Sequence, residues 1–173
     1  MNWKNKPAGM NRGFSEWVLD RGSLTELIKS KCANFAVSHV DNRFGRVNRD
    51  EFSRMGLRRE EMAWVREVFL CCGEVPVVFA HSVSSRRSLN GSWRRLRFLG
   101  QHSLGSAFLS DPKVRRKAFE FRLITKRHPL HGKACRFMKR PPESLWARRS
   151  LFVLGNKSIL VTEVFLPEIL ELA

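Results

Sequence analysis

The sequence predicts an α+β fold, a single domain in which helices pack on an antiparallel β-sheet. Two hairpin patterns and one helix start lead to that class. Trp64 to Leu70 and Val75 to Ala80 are apolar runs around the turn Cys72-Gly73-Glu74. Leu151 to Leu154 and Ser158 to Leu166 flank Gly155-Asn156, two residues that tolerate the positive φ of a tight hairpin turn. Ser23-Leu24-Thr25-Glu26 has the form of a capping box, in which Ser23 and Glu26 satisfy each other's backbone donors. At 173 residues the chain suits one compact domain, and its 43% apolar content supplies a core.

The elements follow in order. Residues 1–13 form a flexible, basic tail, and the folded domain occupies residues 14–173. Ser15 opens a short helical stretch with Trp17, Val18 and Leu19, which Gly22 closes. Leu24, Leu27, Ile28 and Cys32 recur at helical spacing behind the capping box. Phe35 to Val40 reads as a first strand, followed by a charged loop. Pro76 lacks an amide proton and so belongs near the start of the second hairpin strand. Residues 86–99 read as a basic helix or helical turn, and 100–109 as a short loop and helix. Phe119, Phe121 and Leu123 alternate with charged residues as a strand does. The connection 126–145, with four breakers, leaves room for a short helix between its prolines.

Charge narrows the function without choosing it. Thirty-two Lys and Arg face sixteen Asp and Glu, a formal net of +16 that favours anionic partners. The basic residues are dispersed, with small clusters at Arg94 to Arg97, Arg115 to Lys117 and Arg148 to Arg149, so no basic arm or recognition helix stands out. Nucleic acid is therefore not the expected partner. The apolar runs are too short to cross a bilayer, and Met1 to Gly13 lacks the apolar stretch of a secretory signal. Cytoplasmic residence is the expectation. Cys32, Cys71, Cys72 and Cys135 show no metal-ligand spacing and read as four reduced, packed thiols. His39, His81, His102, His128 and His131 read as ordinary surface or loop histidines. GxSxG, GxxxxGK[ST] and GxGxxG are all missing from the sequence.

Two charges stand out against apolar strands. Ile159, Val161, Glu163 and Phe165 share one face of the last strand, and Leu160, Thr162, Val164 and Leu166 share the other. With both faces apolar, Glu163 is a carboxylate in a dry wall and needs a partner or a purpose. Arg66 poses the same problem, alternating with Trp64, Val68 and Leu70. Either the two form an internal pair or reach water at an edge, or they line a pocket. In a pocket, Arg66 would grip a carboxylate while Glu163 accepts from a ligand hydroxyl. Arg148 and Arg149, beside Trp146, read equally as a solvated or sheet-edge pair and as a second anion grip.

Five segments in order resemble the chorismate pyruvate-lyase family. They are Trp17-Val18-Leu19-Asp20-Arg21-Gly22-Ser23-Leu24-Thr25, Trp64-Val65-Arg66-Glu67-Val68, Leu99-Gly100 with Leu104-Gly105, Trp146-Ala147-Arg148-Arg149-Ser150-Leu151-Phe152, and Val161-Thr162-Glu163-Val164-Phe165-Leu166-Pro167. Together they span roughly residues 14–167. The resemblance implies a ligand pocket on the sheet beneath helical flaps. It implies that Arg66 holds the ring carboxylate, that Glu163 meets the ring hydroxyl, and that Leu24 and Leu104 close over the ligand. It further implies a cofactor-independent carbon–oxygen lyase that turns chorismate into 4-hydroxybenzoate and pyruvate, the first committed step of ubiquinone biosynthesis; a monomer is the expected state. No metal is implied. Arg148 or Arg149 would hold the enolpyruvyl carboxylate. Where the family is expected to carry a proline after the central hairpin, this chain has Val83-Ser84-Ser85, and its 126–145 connection is long. The alternatives are an effector-sensing domain of related fold, a lyase yielding a different hydroxybenzoate, and, on charge alone, a nucleic-acid-binding protein.

Overall fold

The computed structural model describes residues 2–108 and 111–172. Two helices, α1 (Arg12–Val18) and α2 (Leu24–Lys31), precede the first strand, β1 (Phe35–Arg46). A short helix α3 (Phe52–Met55) leads to the hairpin β2 (Met62–Cys72) and β3 (Val75–Ser84). Then come α4 (Arg86–Leu89), a 3-10 turn at Arg94–Phe98, α5 (Leu104–Phe108), β4 (Val114–Arg116) and β5 (Glu120–Thr125). Helix α6 (Pro129–Ala134) connects to the second hairpin, β6 (Ser144–Leu154) and β7 (Lys157–Phe165), and a 3-10 turn at Pro167–Glu171 follows. No described helix is long and apolar enough to cross a membrane.

The seven strands make one antiparallel sheet in the order β1-β2-β3-β7-β6-β4, with β5 paired to β6 along the same edge as β4. The C-terminal hairpin thus docks on β3, so β3 and β7 are central strands covered on both faces. Trp17, Val18, Leu24, Ile28 and Phe165 pack on one face, beside Trp64, Leu89, Trp93 and Leu96. Phe69, Phe79, Ile124, Leu130, Leu145 and Val164 fill the other, together with Val65, Val83 and Leu160. The α+β antiparallel architecture read from the hairpins is the one observed.

Local signals explain the element ends. Asn11 caps α1 by accepting from Phe14 N–H, so the helix begins at Arg12, three residues before the expected Ser15. Ser23 Oγ accepts from the Glu26 N–H as a capping box requires, but the Glu26 carboxylate pairs forward with Lys29 at 3.1 Å. Gly73 and Gly155 take φ of 59° and 61° in the two hairpin turns. Pro129 lies in the first turn of α6, where His128 accepts from the Leu130 N–H.

Four expectations change. First, β1 does not end at Val40. A register shift between Ser38 and Asp41, with His39 at φ 51°, absorbs one extra residue and carries the strand to Arg46 as a charged sheet edge. Second, β6 starts at Ser144, so Arg148 and Arg149 lie inside a strand and are buried. Third, Cys32 and Cys72 form a disulfide, Cα–Cα 5.8 Å, while Cys71 and Cys135 are free and buried. Packing the end of α2 against the end of β2 decides that pairing, and no spacing in the sequence announces it. Fourth, His81, His128 and His131 are buried. At the N-terminus, Lys4 and Phe121 exchange backbone hydrogen bonds of 2.9 and 2.7 Å, and the Trp3 indole donates to Asp50.

Candidate functional site

The antiparallel register puts one set of side chains on one sheet face. Arg66 lies opposite Ser82, Ser82 opposite Val161 and Val161 opposite Ser150. A second row runs Val68, Ala80, Glu163 and Arg148. Directly paired residues share a face, so Arg66 and Glu163 necessarily point to the same side from strands two ladders apart. Ladder spacing places their Cα atoms roughly 12 Å apart.

Those rows form the floor of one cavity. Val68, Leu70, Ala80, Phe152 and Val161 make the apolar base, and Phe119 closes one side. Two segments roof it: Leu24 and Thr25 from the start of α2, and Ser103, Leu104 and Gly105 from the start of α5. Thr25 Oγ1 donates to Ser103 Oγ at 3.0 Å, joining the two roof segments in a buried contact. All four predicted positions, Leu24, Arg66, Leu104 and Glu163, therefore line one cavity.

Arg66 is 2% exposed. Its Nη2 donates to Gly100 O at 3.0 Å and His102 O at 2.9 Å, and Nη1 to Asn42 Oδ1 at 3.3 Å. These partners are neutral. Burial pushes the guanidinium down to about 10, so it remains a cation at neutral pH. Because two acceptors belong to the loop before α5, the same side chain that faces the cavity also holds its roof.

Glu163 is 19% exposed at its side chain, and Arg148 Nε donates to its Oε2 at 2.5 Å. Arg148 Nη1 reaches the carbonyls of Trp17, Val18 and Asp20 at 3.3, 3.3 and 2.5 Å. Arg148 thus satisfies open carbonyls at the end of α1 while fixing Glu163 as an acceptor. It is not part of the cavity lining.

Arg149 points to the opposite face, where its Nε donates to Glu120 Oε2 at 2.7 Å and its guanidinium lies over the Trp3 ring. Neither a solvated charge pair nor a shared anion grip describes these neighbours. Strand alternation sends them apart, and each is neutralised by a carboxylate from another strand.

A second buried polar cluster occupies the far face of the sheet. His81 Nδ1 is 2.8 Å from Glu67 Oε1, and Nε2 lies 3.1 Å from Glu51 Oε1. Lys133 Nζ reaches Glu67 at 2.6 Å. Burial alone would raise Glu67, but hydrogen bonds from His81 and Lys133 outweigh it and bring the carboxyl to about 2. Burial likewise opposes charge on His81, yet its two carboxylate neighbours win and raise it. The cluster faces away from the cavity and buttresses the strand that carries Arg66.

Reading the sequence missed Arg116, Thr25, Ser103, Ser82 and Ser150 in the cavity wall. Arg116 sits in a strand of three residues, too short for alternation to register, inside a basic run that resembles surface. The capping box marked the helix carrying Thr25, but no local signal could pair it with Ser103, 78 residues away.

The sequence model of the chorismate lyase family matches residues 5–173. The chain belongs to the chorismate lyase family. A relative from Nitrosospira multiformis is 50% identical over 173 residues, covering 99% of this chain and 96% of that one. One from Nitrosomonas europaea is 43% identical over 170 residues, covering 98% and 96%. Both carry the name "probable chorismate pyruvate-lyase".

The family's fold extends to proteins of other names. The C-terminal domain of the histidine utilization repressor from Pseudomonas syringae superposes at a TM-score of 0.55, with 9% identity, covering 78% of this chain and 92% of that one. The PhnF C-terminal domain superposes at 0.55 with 12% identity, covering 80% and 86%. At such identities the likeness concerns the fold alone.

Proposed function

We propose that this chorismate lyase family member converts chorismate to 4-hydroxybenzoate and pyruvate without a cofactor. The observation that carries the reading is the cavity itself. A buried guanidinium and a carboxylate stand at its two ends, over an apolar floor, beneath two joined roof segments. Arg66 binds the ring carboxylate and, through Gly100 and His102, couples that contact to the roof. Glu163, held by Arg148, accepts from the ring hydroxyl. Leu24 and Leu104 press on the ring faces.

The reaction asks mainly for conformation. In the reactive conformer the enolpyruvyl methylene lies over the hydrogen on the hydroxyl-bearing ring carbon. That C–H bond breaks as the hydrogen joins the methylene, the ring C–O bond breaks, and the ether oxygen becomes the keto oxygen of pyruvate. The ring electrons close to an aromatic ring, so atoms and electrons balance with no added reagent. Glu163 fixes the hydroxyl so that its geminal hydrogen faces the ether, and the roof excludes water. In this reading the enzyme acts as a cytoplasmic monomer that supplies 4-hydroxybenzoate to ubiquinone biosynthesis.

The test is turnover of purified protein with chorismate in the presence of a chelator. Equal amounts of 4-hydroxybenzoate and pyruvate are expected, and another hydroxybenzoate isomer would overturn the product assignment. Absence of turnover would favour a non-catalytic, effector-binding role. Arg66→Gln and Glu163→Gln, which keep hydrogen-bonding capacity, are expected to remain folded and lose most activity. Normal turnover in either would overturn its assigned role.

A further inference from the structure

The cavity holds a second cation whose charge is not matched. Arg116 reaches the lining from β4, on the side of Phe119 and Glu163. Its Nη1 donates to Gly22 O at 2.9 Å and its Nη2 to Arg21 O, both neutral carbonyls in the link between α1 and α2. Its guanidinium lies over the Phe119 ring at 4.5 Å, and that of Arg148 lies over the same ring at 4.4 Å. Arg116 is therefore a close neighbour of the Arg148–Glu163 pair.

The charges lining the cavity can be matched one by one. Glu163 is matched by Arg148 at 2.5 Å. Among the described residues, Arg66 donates to an amide and two carbonyls, and Arg116 to two carbonyls. Among the described residues neither forms an ion pair with a carboxylate within 4 Å. The carboxylates of Asp20 and Glu163 act on Arg116 only at longer range, while burial and Arg148 hold it below its ordinary pKa. Two unmatched guanidinium groups at separate points of one cavity describe a site for a dianion.

We propose that Arg116 holds the second carboxylate of the substrate, the one on the enolpyruvyl arm. The assignment rests on the lyase reading above and adds the residue that separates substrate from product. In chorismate the ether-bearing carbon adjoins the hydroxyl-bearing carbon. With the hydroxyl at Glu163 and the ring carboxylate at Arg66, the arm must lie at the Glu163 end, where Arg116 stands. Arg148 is already spent on Glu163 and three carbonyls, and Arg149 faces the other side of the sheet. The aromatic product keeps only the ring carboxylate and loses the Arg116 contact, so Arg116 favours binding the substrate over retaining the product. Its bonds to Arg21 and Gly22 would also make the arm's arrival felt by the first roof segment.

The experiment compares the parent protein with Arg116→Gln, which removes the charge and keeps a polar amide. Two ligands are titrated: 4-hydroxybenzoate, and 3-carboxymethoxy-4-hydroxybenzoate, a stable ring with a second carboxylate beside the hydroxyl. The parent is expected to bind the dicarboxylate more tightly, and Arg116→Gln to weaken it by about tenfold or more while shifting 4-hydroxybenzoate less than twofold. KM for chorismate should rise with the dicarboxylate constant. Arg66→Gln should weaken both ligands, and a merely loosened roof would also weaken both. Equal weakening of the two ligands by Arg116→Gln, or no change in either, would overturn the proposal. A parent that shows the Arg116-dependent preference but no turnover would instead overturn the lyase reading and leave the dianion site standing.

Discussion

Replacing Arg148 by Met removes one half of a buried ion pair and leaves the other. Arg148 is 1% exposed and Glu163 19% at the side chain, so little water is at hand to replace the lost partner. The substitution deletes the 2.5 Å bond to Glu163 and three bonds to carbonyls at the end of α1. Breaking a buried pair from one side costs about 3–5 kcal/mol, and Met retains most of the aliphatic packing. For a chain of this length that loss is a drop of roughly 10 °C in Tm. Changing both partners to Met removes the stranded charge, so the double variant is expected to recover at least about 1–2 kcal/mol over Arg148→Met alone. Full recovery is not expected, because the α1 carbonyls remain without their donor. Urea unfolding at pH 7 of the parent, both single variants and the double variant measures these terms. A loss under about 1 kcal/mol for Arg148→Met, or a double variant no more stable than it, would refute the account.

Three other outcomes follow from particular contacts. Glu67, lowered to about 2, adds stability that is present above the ordinary 4.5 and lost as pH falls through the folded value. His81, raised above 6.5, adds stability that is present below 6.5 and lost as pH rises through its elevated value. Urea midpoints across pH 3 to 9 should therefore peak between these ordinary values, and an unchanged alkaline slope in His81→Phe would rule out the histidine's part. Reducing Cys32–Cys72, whose partners are 40 residues apart, should cost about 2–4 kcal/mol and loosen α2, as read by Tm with and without thiol. An unchanged Tm would show that the bond adds no stability, which matters in a reducing compartment. Thr25→Val removes the buried bond to Ser103 that joins the roof segments. Release of 4-hydroxybenzoate in stopped flow should quicken roughly fivefold, from about 1 kcal/mol, and an unchanged rate would assign closure to other contacts.

Much of the architecture was legible because its signals are local. Gly73 and Gly155 mark turns through backbone conformation, and Ser23 marks a helix start through one hydrogen bond. Glu163 and Arg66 were visible as charges out of place on apolar strands. The same rule did not decide at β6, where adjacent arginines read equally as a solvated or sheet-edge pair and as an anion grip. They are buried because Glu163 and Glu120 arrive from other strands to meet them. His81 read as an ordinary surface or loop histidine for the same reason, since Glu51 and Glu67 reach it from the start of α3 and from β2.

By itself, then, the sequence determined the antiparallel α+β class, the two hairpins, and the presence of one cation and one carboxylate that an apolar sheet could not hold without cause. Alternation along a strand and turn chemistry depend only on near neighbours, and they survive without a fold. The tertiary structure alone decided that both charges share one cavity and that Arg148 completes Glu163. It alone placed Thr25 against Ser103 and Cys32 against Cys72, and left Arg116 facing the cavity without a carboxylate. Each of those outcomes is a pairing across long separations, set by sheet order and helix packing, and the residues involved carry no mark of their partner in the residues beside them.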